Sequence, residues 1–84
     1  KTAASEFGKQ GIRVNAICPG FTETAMLHNA DTDEKYRETL KFLTPLRRFG
    51  KAEEIADGIL YLSSENSTFM TGQSLILDGG LSVQ

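Results

Sequence analysis

Cysteine is almost absent from this sequence, because Cys18 is the only one in 84 residues. A single thiol cannot form a disulfide within the chain, and no cluster of Cys and His residues surrounds it to bind a metal ion. Disulfides are typical of oxidising compartments, so this usage favours a reduced, cytoplasmic setting. We expect Cys18 to pack in the core near the end of a strand.

Long apolar runs and an excess of charge of either sign are also missing. No segment approaches the roughly 20 apolar residues that span a bilayer, and no basic start leads into an apolar signal segment, so no membrane association is predicted. The formal net charge is -2 and the sequence pI is about 5.3. Because basic residues are scattered between acidic ones, no basic stripe can neutralise phosphates, and nucleic-acid binding is disfavoured.

What is present is the composition of a globular protein, with 39% hydrophobic and 24% charged residues. A chain this short buries a modest fraction of its surface and is only marginally stable by itself. The length therefore predicts one small domain or part of one. Asn66, Ser67 and Thr68 form a glycosylation sequon, for which a polar turn is the simpler interpretation.

The spacing of apolar residues predicts three helices and two strands. Helices are expected over residues 1–10, about 32–43 and 51–64, and strands over residues 12–18 and 73–78. Gly11 is placed to end the first helix in a left-handed cap, and Pro45 stops the second. Glu53 and Glu54 suit the positive start of the third helix as caps. The first helix has no N-cap residue, which predicts that the natural start lies upstream.

Two strands separated by a long helical connection are most simply parallel neighbours joined by a right-handed crossover. The predicted fold class is therefore α/β, with a first strand that is largely buried. Two short parallel strands cannot cover both faces or satisfy both edges of a sheet. We expect the remaining strands to come from upstream sequence or from another chain.

Several segments, in a fixed order, carry a resemblance to a known family. They are GIRVNAICPGFTET at 11–24, PLRRFG at 45–50, EEIA at 53–56, YLS at 61–63, and TGQ at 71–73 leading to DGG at 78–80. Together they resemble the C-terminal region of short-chain dehydrogenases/reductases over essentially the whole chain. The resemblance implies the last part of a Rossmann-type doubly wound parallel sheet. Its parts would be the end of the active-site helix at 1–10, a strand at 12–18, a cofactor and substrate lid at 21–45, the last helix at 51–64 and the last strand at 73–78.

Ligands of this fold lie beyond the carboxyl ends of the strands, which is where the turn after the first predicted strand lies. The resemblance implies that this turn binds NAD or NADP through Pro19, Gly20, Phe21, Thr22 and Thr24. The main chain around Phe21 and Thr22 is expected to hold the nicotinamide carboxamide. Gly20 is expected to let the main chain approach a flat ring. The Thr24 hydroxyl is expected to reach the carboxamide or a phosphate, with an N-cap role as the alternative.

The predicted lid is expected to shape the substrate pocket. Met26 and Leu27 are candidate substrate contacts, and Phe42 and Leu43 are further candidate pocket walls. Packing of the lid against the sheet explains each of these side chains at least as well. His28 is the only histidine and has no partner arrangement for a triad or further ligands for a metal, so no metal site is predicted.

The family's catalytic residues have no match in this chain. The glycine-rich phosphate loop, the catalytic serine and the Tyr-x-x-x-Lys pair are all absent, and neither Tyr36 nor Tyr61 takes their place. The resemblance implies an NAD(P)-dependent oxidoreductase acting on a small alcohol or carbonyl, with its catalytic residues upstream. A truncated member that binds a partner or stabilises an assembly is the alternative. Family members commonly form homodimers or homotetramers through the last helix and strand, here 51–64 and 73–78.

Overall fold

The computed structural model describes residues 2–23 and 34–83 of the chain. The elements follow the predicted order. They are helix α1 at Thr2–Gly8, strand β1 at Ala16–Pro19, helix α2 at Glu34–Leu43, helix α3 at Ala52–Ser63 and strand β2 at Ser74–Leu77, with short 3₁₀ helices at Glu65–Ser67 and Leu81–Val83. None of the described helices combines the length and apolarity that crossing a lipid bilayer requires.

Strands β1 and β2 lie side by side and run parallel. Ala16 lies opposite Ser74, and the register continues to Pro19 opposite Leu77. A hydrogen bond from Gly20 N to Leu77 O, at 3.1 Å, extends the ladder past the end of β1. The prediction of two parallel neighbouring strands is therefore confirmed, and α2 and α3 lie within the connection between them.

Helix α3 lies on one face of this sheet, and a glycine sets how close it comes. Gly58 is buried, and a Cβ atom there would lie 2.6 Å from Leu77 Cδ1 and 2.8 Å from Ile17 Cδ1. The missing side chain thus lets the helix backbone rest directly on apolar side chains of both strands. The other apolar residues of α3 are less covered, since Ile59 is 49% and Leu60 66% exposed.

Strand β1 is shorter and more exposed than predicted. It begins at Ala16 rather than at residue 12, and of its residues only Ile17 is partly covered. Cys18 is exposed, so its predicted place in the core is wrong. Side chains alternate along a strand, so Ile17 faces α3 while Cys18 points to the opposite face, which no described helix covers.

Before Ala16 the regular ladder gives way to single main-chain bonds and side-chain bonds. Gly72, with φ of 73°, donates through its N–H to Val14 O at 2.8 Å, and Ala16 N donates to Gln73 O at 2.9 Å. Arg13 donates through Nη2 to Leu62 O (2.9 Å) and through Nη1 to Ser67 O (2.7 Å) and Met70 O (3.1 Å). Asn15 donates to Met70 O at 2.9 Å and accepts from Gln73 N at 3.0 Å. We call Arg13 and Asn15, with the groups that they bind, the basal clamp. It ties the chain before β1 to the end of α3 and to the segment before β2.

The ends of the first two helices agree with their sequence signals. Gly11 has φ of 76°, and the bonds from Ile12 N to Phe7 O (3.2 Å) and from Gly11 N to Gly8 O (3.0 Å) form the paired arrangement of a Schellman cap. Helix α2 ends at Leu43, one residue before Thr44-Pro45, as predicted. Its predicted first residues, 32 and 33, lie outside the described part of the chain.

Candidate functional site

The turn after β1 is packed directly against the turn after β2. A Cβ atom on Gly20 would lie 2.8 Å from both Cα and Cβ of Asp78. Since the first of these is a main-chain atom, any larger residue would push the two strand ends apart. The contact with Asp78 is thus a structural reason for glycine at this position, in addition to the predicted approach to a ring, which stays a prediction.

The segment after this turn forms a short bridge to the residue that precedes α3. Thr22 pairs in parallel with Gly50, through bonds from Gly50 N to Phe21 O (2.9 Å) and from Glu23 N to Gly50 O (2.8 Å). The Thr22 hydroxyl donates to Gly20 O at 3.1 Å, which stabilises the turn. In a parallel bridge of this kind, the N–H and C=O of the central residue point away from the partner. Within the described residues, neither of these two groups of Thr22 makes a hydrogen bond.

Thr22 therefore presents a main-chain donor and a main-chain acceptor side by side on one edge, beyond the carboxyl end of β1. A primary amide, which has an NH₂ donor and a C=O acceptor, is complementary to such a pair. Pro19 ends the strand and is exposed, while Gly20 and Phe21 are half-buried beside it. The turn thus brings together four of the five residues predicted to bind the cofactor.

The other predicted site residues are less informative. Thr24, Met26, Leu27 and His28 lie outside the described residues. Phe42 and Leu43, the further candidate pocket walls, are 68% and 43% exposed. The guanidinium of Arg47 lies 4.7 Å from the centre of the Phe42 ring, so this aromatic packs on a cation at the end of α2.

The turn after β2 supports the segment that follows α2. The Asp78 carboxylate accepts hydrogen bonds from Gly80 N (2.9 Å) and Ser82 N (2.9 Å), and the bonds to Ser82 above all hold the pKa of Asp78 below its ordinary value. Gly79 has φ of 63°, and its carbonyl accepts from Leu46 N at 3.1 Å. Glycine is required here because the left-handed region strains other residues and because a Cβ would lie 2.7 Å from Thr44 Cγ2.

A cavity of about 510 Å³ lies between the end of β2, the loop after α2 and the start of α3. Its walls are mainly apolar, with Phe21, Leu46 and Ile76 among them, and it also contains an ion pair. Arg48 donates to both carboxylate oxygens of Glu54, at 2.9 and 3.0 Å.

The ion pair of Arg48 and Glu54 also lies at the N-terminal end of α3 and helps to cap it. Glu54 accepts from Lys51 N at 2.8 Å, which confirms that this acidic residue caps the helix. The Arg48 side chain, followed by the Lys51 amide, lowers the pKa of Glu54 to about 2. The Arg48 guanidinium is thus already paired with a carboxylate. This geometry indicates that Arg48 orders the loop before α3.

One arrangement beside Thr22 was not visible in the sequence. Arg37 of α2 donates through Nη2 to both carboxylate oxygens of Glu23, each at 2.9 Å, and its guanidinium lies 4.8 Å from the centre of the Phe49 ring. Phe49 is only 6% exposed. We call Glu23, Arg37 and Phe49 the α2 anchor. Its charges are separated by 14 residues, with no periodicity that would pair them.

The acidic side chains and the cysteine of the described residues are dispersed. No group of three or more His, Cys, Asp and Glu side chains in residues 2–23 and 34–83 is arranged to hold a metal ion. The polar groups that this end of the sheet offers are instead main-chain N–H and C=O groups and paired charges.

Comparison with known proteins identifies the family. A family profile described as enoyl-(acyl carrier protein) reductase matches residues 1–82. The chain belongs to the short-chain dehydrogenase/reductase family. Members of this family have a Rossmann-like α/β fold, in which parallel strands such as β1 and β2 form the central sheet.

Individual relatives have different substrates in their names. The chain is 51% identical to a 3-oxoacyl-[acyl-carrier-protein] reductase of Thermotoga maritima over 81 residues, covering 96% of this chain and 32% of that protein. It is 42% identical to a glucose 1-dehydrogenase of Gluconobacter oxydans over 84 residues, covering 99% of this chain and 31% of that protein. A short-chain dehydrogenase of Neurospora crassa is 42% identical over 81 residues, covering 95% of this chain and 30% of that protein. The chain therefore spans about a third of the length of the curated relatives it matches.

Proposed function

We propose that this chain is the C-terminal part of a nicotinamide-dependent oxidoreductase that interconverts an alcohol and a carbonyl. In this proposal the turn after β1 holds the nicotinamide end of NAD or NADP, and the catalytic residues belong to a part of the protein upstream of this chain. The observation that carries the proposal is the open N–H and C=O pair of Thr22 at the carboxyl end of a parallel sheet. Dehydrogenase and reductase names among the relatives support it.

The residues of the turn fit a carboxamide for physical reasons. The N–H of Thr22 is a donor for the amide oxygen, and the C=O of Thr22 is an acceptor for the NH₂ group. Both groups are rigidly placed, because the bridge to Gly50 and the contact of Gly20 with Asp78 fix the main chain on either side. When bound, the nicotinamide supplies hydride transfer. The contribution of this chain is to fix the orientation of the ring, and with it the face that meets the substrate.

Thr22→Pro in the natural full-length protein that carries this chain tests the role of the main chain. Proline removes the N–H, and this N–H is not used in the bridge to Gly50. We expect the Kd of NADH or NADPH, measured by nucleotide fluorescence, to rise about tenfold, since a lost hydrogen bond of about 1.4 kcal/mol has that effect. Thr22→Ser is the matched control, because it keeps both main-chain groups and the hydroxyl that donates to Gly20 O, and its Kd should stay within about twofold.

A second measurement covers the case in which Thr22→Pro does not fold. In the unmodified protein labelled with ¹⁵N, the amide resonance of Thr22 should move on titration with NADH or NADPH. The amide of Gly50, which is bonded to Phe21 O, should move much less. Nucleotide binding that leaves the Thr22 resonance unmoved would contradict the assignment of this turn.

The alternative proposal is a truncated family member that acts as a binding or assembly module. Apolar side chains are exposed on the outer face of α3, and Leu60 is 66% exposed. Such a surface favours contact with another polypeptide surface. Association into a homodimer or homotetramer through α3 and β2 would cover these side chains. An intact-mass spectrum of the natural protein separates the two proposals, because a species at 9.2 kDa could not contain the catalytic residues. Light scattering then measures the oligomeric state.

A further inference from the structure

Helix α2 is connected to the nicotinamide turn by a specific set of side chains, the α2 anchor. Glu23 directly follows Thr22, and its N–H donates to Gly50 O at 2.8 Å. Its carboxylate is therefore held by main chain that is itself fixed. Phe49 directly precedes Gly50, so the two sides of the bridge each supply one surface to the same partner, the guanidinium of Arg37.

The geometry favours arginine over lysine at position 37. Nη2 reaches both oxygens of Glu23 at 2.9 Å while Cζ of the same guanidinium lies 4.8 Å from the centre of the Phe49 ring. A planar, delocalised cation can stack and donate at once, whereas the compact ammonium of lysine cannot do both from one position. The side chains of Arg37 and Glu23 keep 22% and 37% of their exposure, so the pair is partly shielded from water and from salt.

We propose that the α2 anchor sets the position of helix α2 relative to the open main-chain groups of Thr22. Glu23 and Arg37 are then positioning residues for the alcohol or carbonyl substrate. This inference rests on the proposed function, because it assumes that the nicotinamide binds at Thr22 and that α2 forms part of the neighbouring substrate wall. It adds that one ion pair, beside the cofactor turn, aligns that wall with the reacting ring.

A second ion pair on the same helix provides a matched comparison. Lys41 and Glu38 lie 3.2 Å apart, with side chains that are 36% and 60% exposed, and both belong to α2. This pair joins the helix to itself, and Glu38, unlike Arg37, makes no contact with Glu23 or Phe49 among the described residues. The Lys41 ammonium lies 5.7 Å from the centre of the Phe49 ring, and Glu38→Gln leaves that contact in place. Exposed pairs at this spacing contribute little, so breaking it should leave α2 where it is.

Steady-state kinetics with the natural full-length protein tests the inference. Arg37→Lys and Glu23→Gln should each raise the KM of the carbonyl or alcohol substrate about tenfold, because small misplacements of a reacting group are costly. The Kd of the nicotinamide nucleotide should change by less than about twofold, since the bridge of Thr22 to Gly50 uses main-chain atoms only. Glu38→Gln should change neither constant. The exchange of charges in Glu23→Arg with Arg37→Glu should recover part of the lost kcat/KM.

The possible outcomes separate this inference from the proposed function. If the unmodified protein binds no nicotinamide nucleotide, the proposed function fails and this inference fails with it. If it binds the nucleotide and turns over substrate, but Arg37→Lys leaves the substrate KM unchanged, only the α2 anchor is rejected. A parallel loss of nucleotide binding and substrate binding would also reject it, because the change would then have distorted the turn. Should Arg37→Lys fold poorly, Phe49→Leu removes the stacking surface and should give the same selective rise in the substrate KM.

Discussion

The two ends of the small sheet are built in opposite ways. At the amino ends of the strands, the basal clamp uses the side chains of Arg13 and Asn15 to bind main-chain groups of residues 62–73. At the carboxyl ends, Gly20 brings main chain against main chain, and the N–H and C=O of Thr22 bond to none of the described residues. At the amino end the polar groups of the basal clamp are hydrogen-bonded within the chain, whereas at the carboxyl end the N–H and C=O of Thr22 can bond to a ligand.

This difference indicates that the amino end of the sheet serves stability and that the carboxyl end also serves ligand binding. A satisfied network of charged hydrogen bonds stabilises the fold and offers nothing to a ligand. Open main-chain groups at the carboxyl end are stable only because they can bond to water, and a ligand can replace that water. Substitutions at the basal clamp should therefore change stability alone. Substitutions at the carboxyl end should change stability and cofactor binding together.

Arg13→Met gives the largest expected effect and tests the amino end. The change removes three charge-assisted hydrogen bonds, which Arg13 donates to the carbonyls of Leu62, Ser67 and Met70. Each of these carbonyls keeps one other donor. We expect the free energy of unfolding of the natural protein to fall by about 3 kcal/mol. Urea denaturation measures it, with the exposed Lys9→Met as the control. A normal stability together with weakened nucleotide binding would break the proposed division of roles.

Gly20→Ala gives an intermediate effect and tests the carboxyl end. The added Cβ would lie 2.8 Å from Asp78 Cα, so the two turns must separate. We expect a loss of about 2 kcal/mol in unfolding free energy, which is typical of overpacking, and a weaker nucleotide affinity because Thr22 moves with the turn. Gly8→Ala is the control, since a Cβ there meets no atom within 4 Å. If the nucleotide affinity is unchanged while stability falls, Gly20 serves packing only.

Local signals in the sequence predicted the elements and their caps. The left-handed Gly11, the stop of α2 before Pro45 and the acidic start of α3 all depend on residues within one turn of each other. The parallel arrangement of β1 and β2 followed from the length of their connection. The family's own segments, such as the Pro19-Gly20 turn, then located the candidate site.

Features that depend on distant partners could not be predicted in the same way. The predicted start of β1 at residue 12 is wrong because the regular pairing ends at the left-handed Gly72, and the side chains of Arg13 and Asn15 there bond to residues 49 to 58 positions away. Cys18 was assigned to the core because an apolar run does not reveal which face of an isolated strand pair is covered. The open groups of Thr22 follow only from its pairing with Gly50, and the α2 anchor only from the position of α2.

Glu54→Gln gives the smallest expected effect on stability. It tests whether the cap of α3 acts only on that helix or also on the turn that presents Thr22. The Arg48 side chain lowers the pKa of Glu54 from 4.5 to about 2, so the folded state favours the charged form. The stabilisation from this ion pair is therefore complete above the ordinary pKa and is lost as the pH falls through the pKa of the folded state.

The difference in urea midpoint between the unmodified protein and Glu54→Gln should be small near neutral pH and should shrink steadily between pH 4.5 and about 2. Glu53→Gln, one residue earlier in the same helical turn, removes a carboxylate that does not contact Arg48 and is the matched control. Nucleotide affinity at neutral pH should not change in either variant, because the charge of Glu54 acts on the start of α3 and not on the open groups of Thr22. A loss of affinity with Glu54→Gln would mean that the Arg48 ion pair also holds the carboxyl-end turns in place.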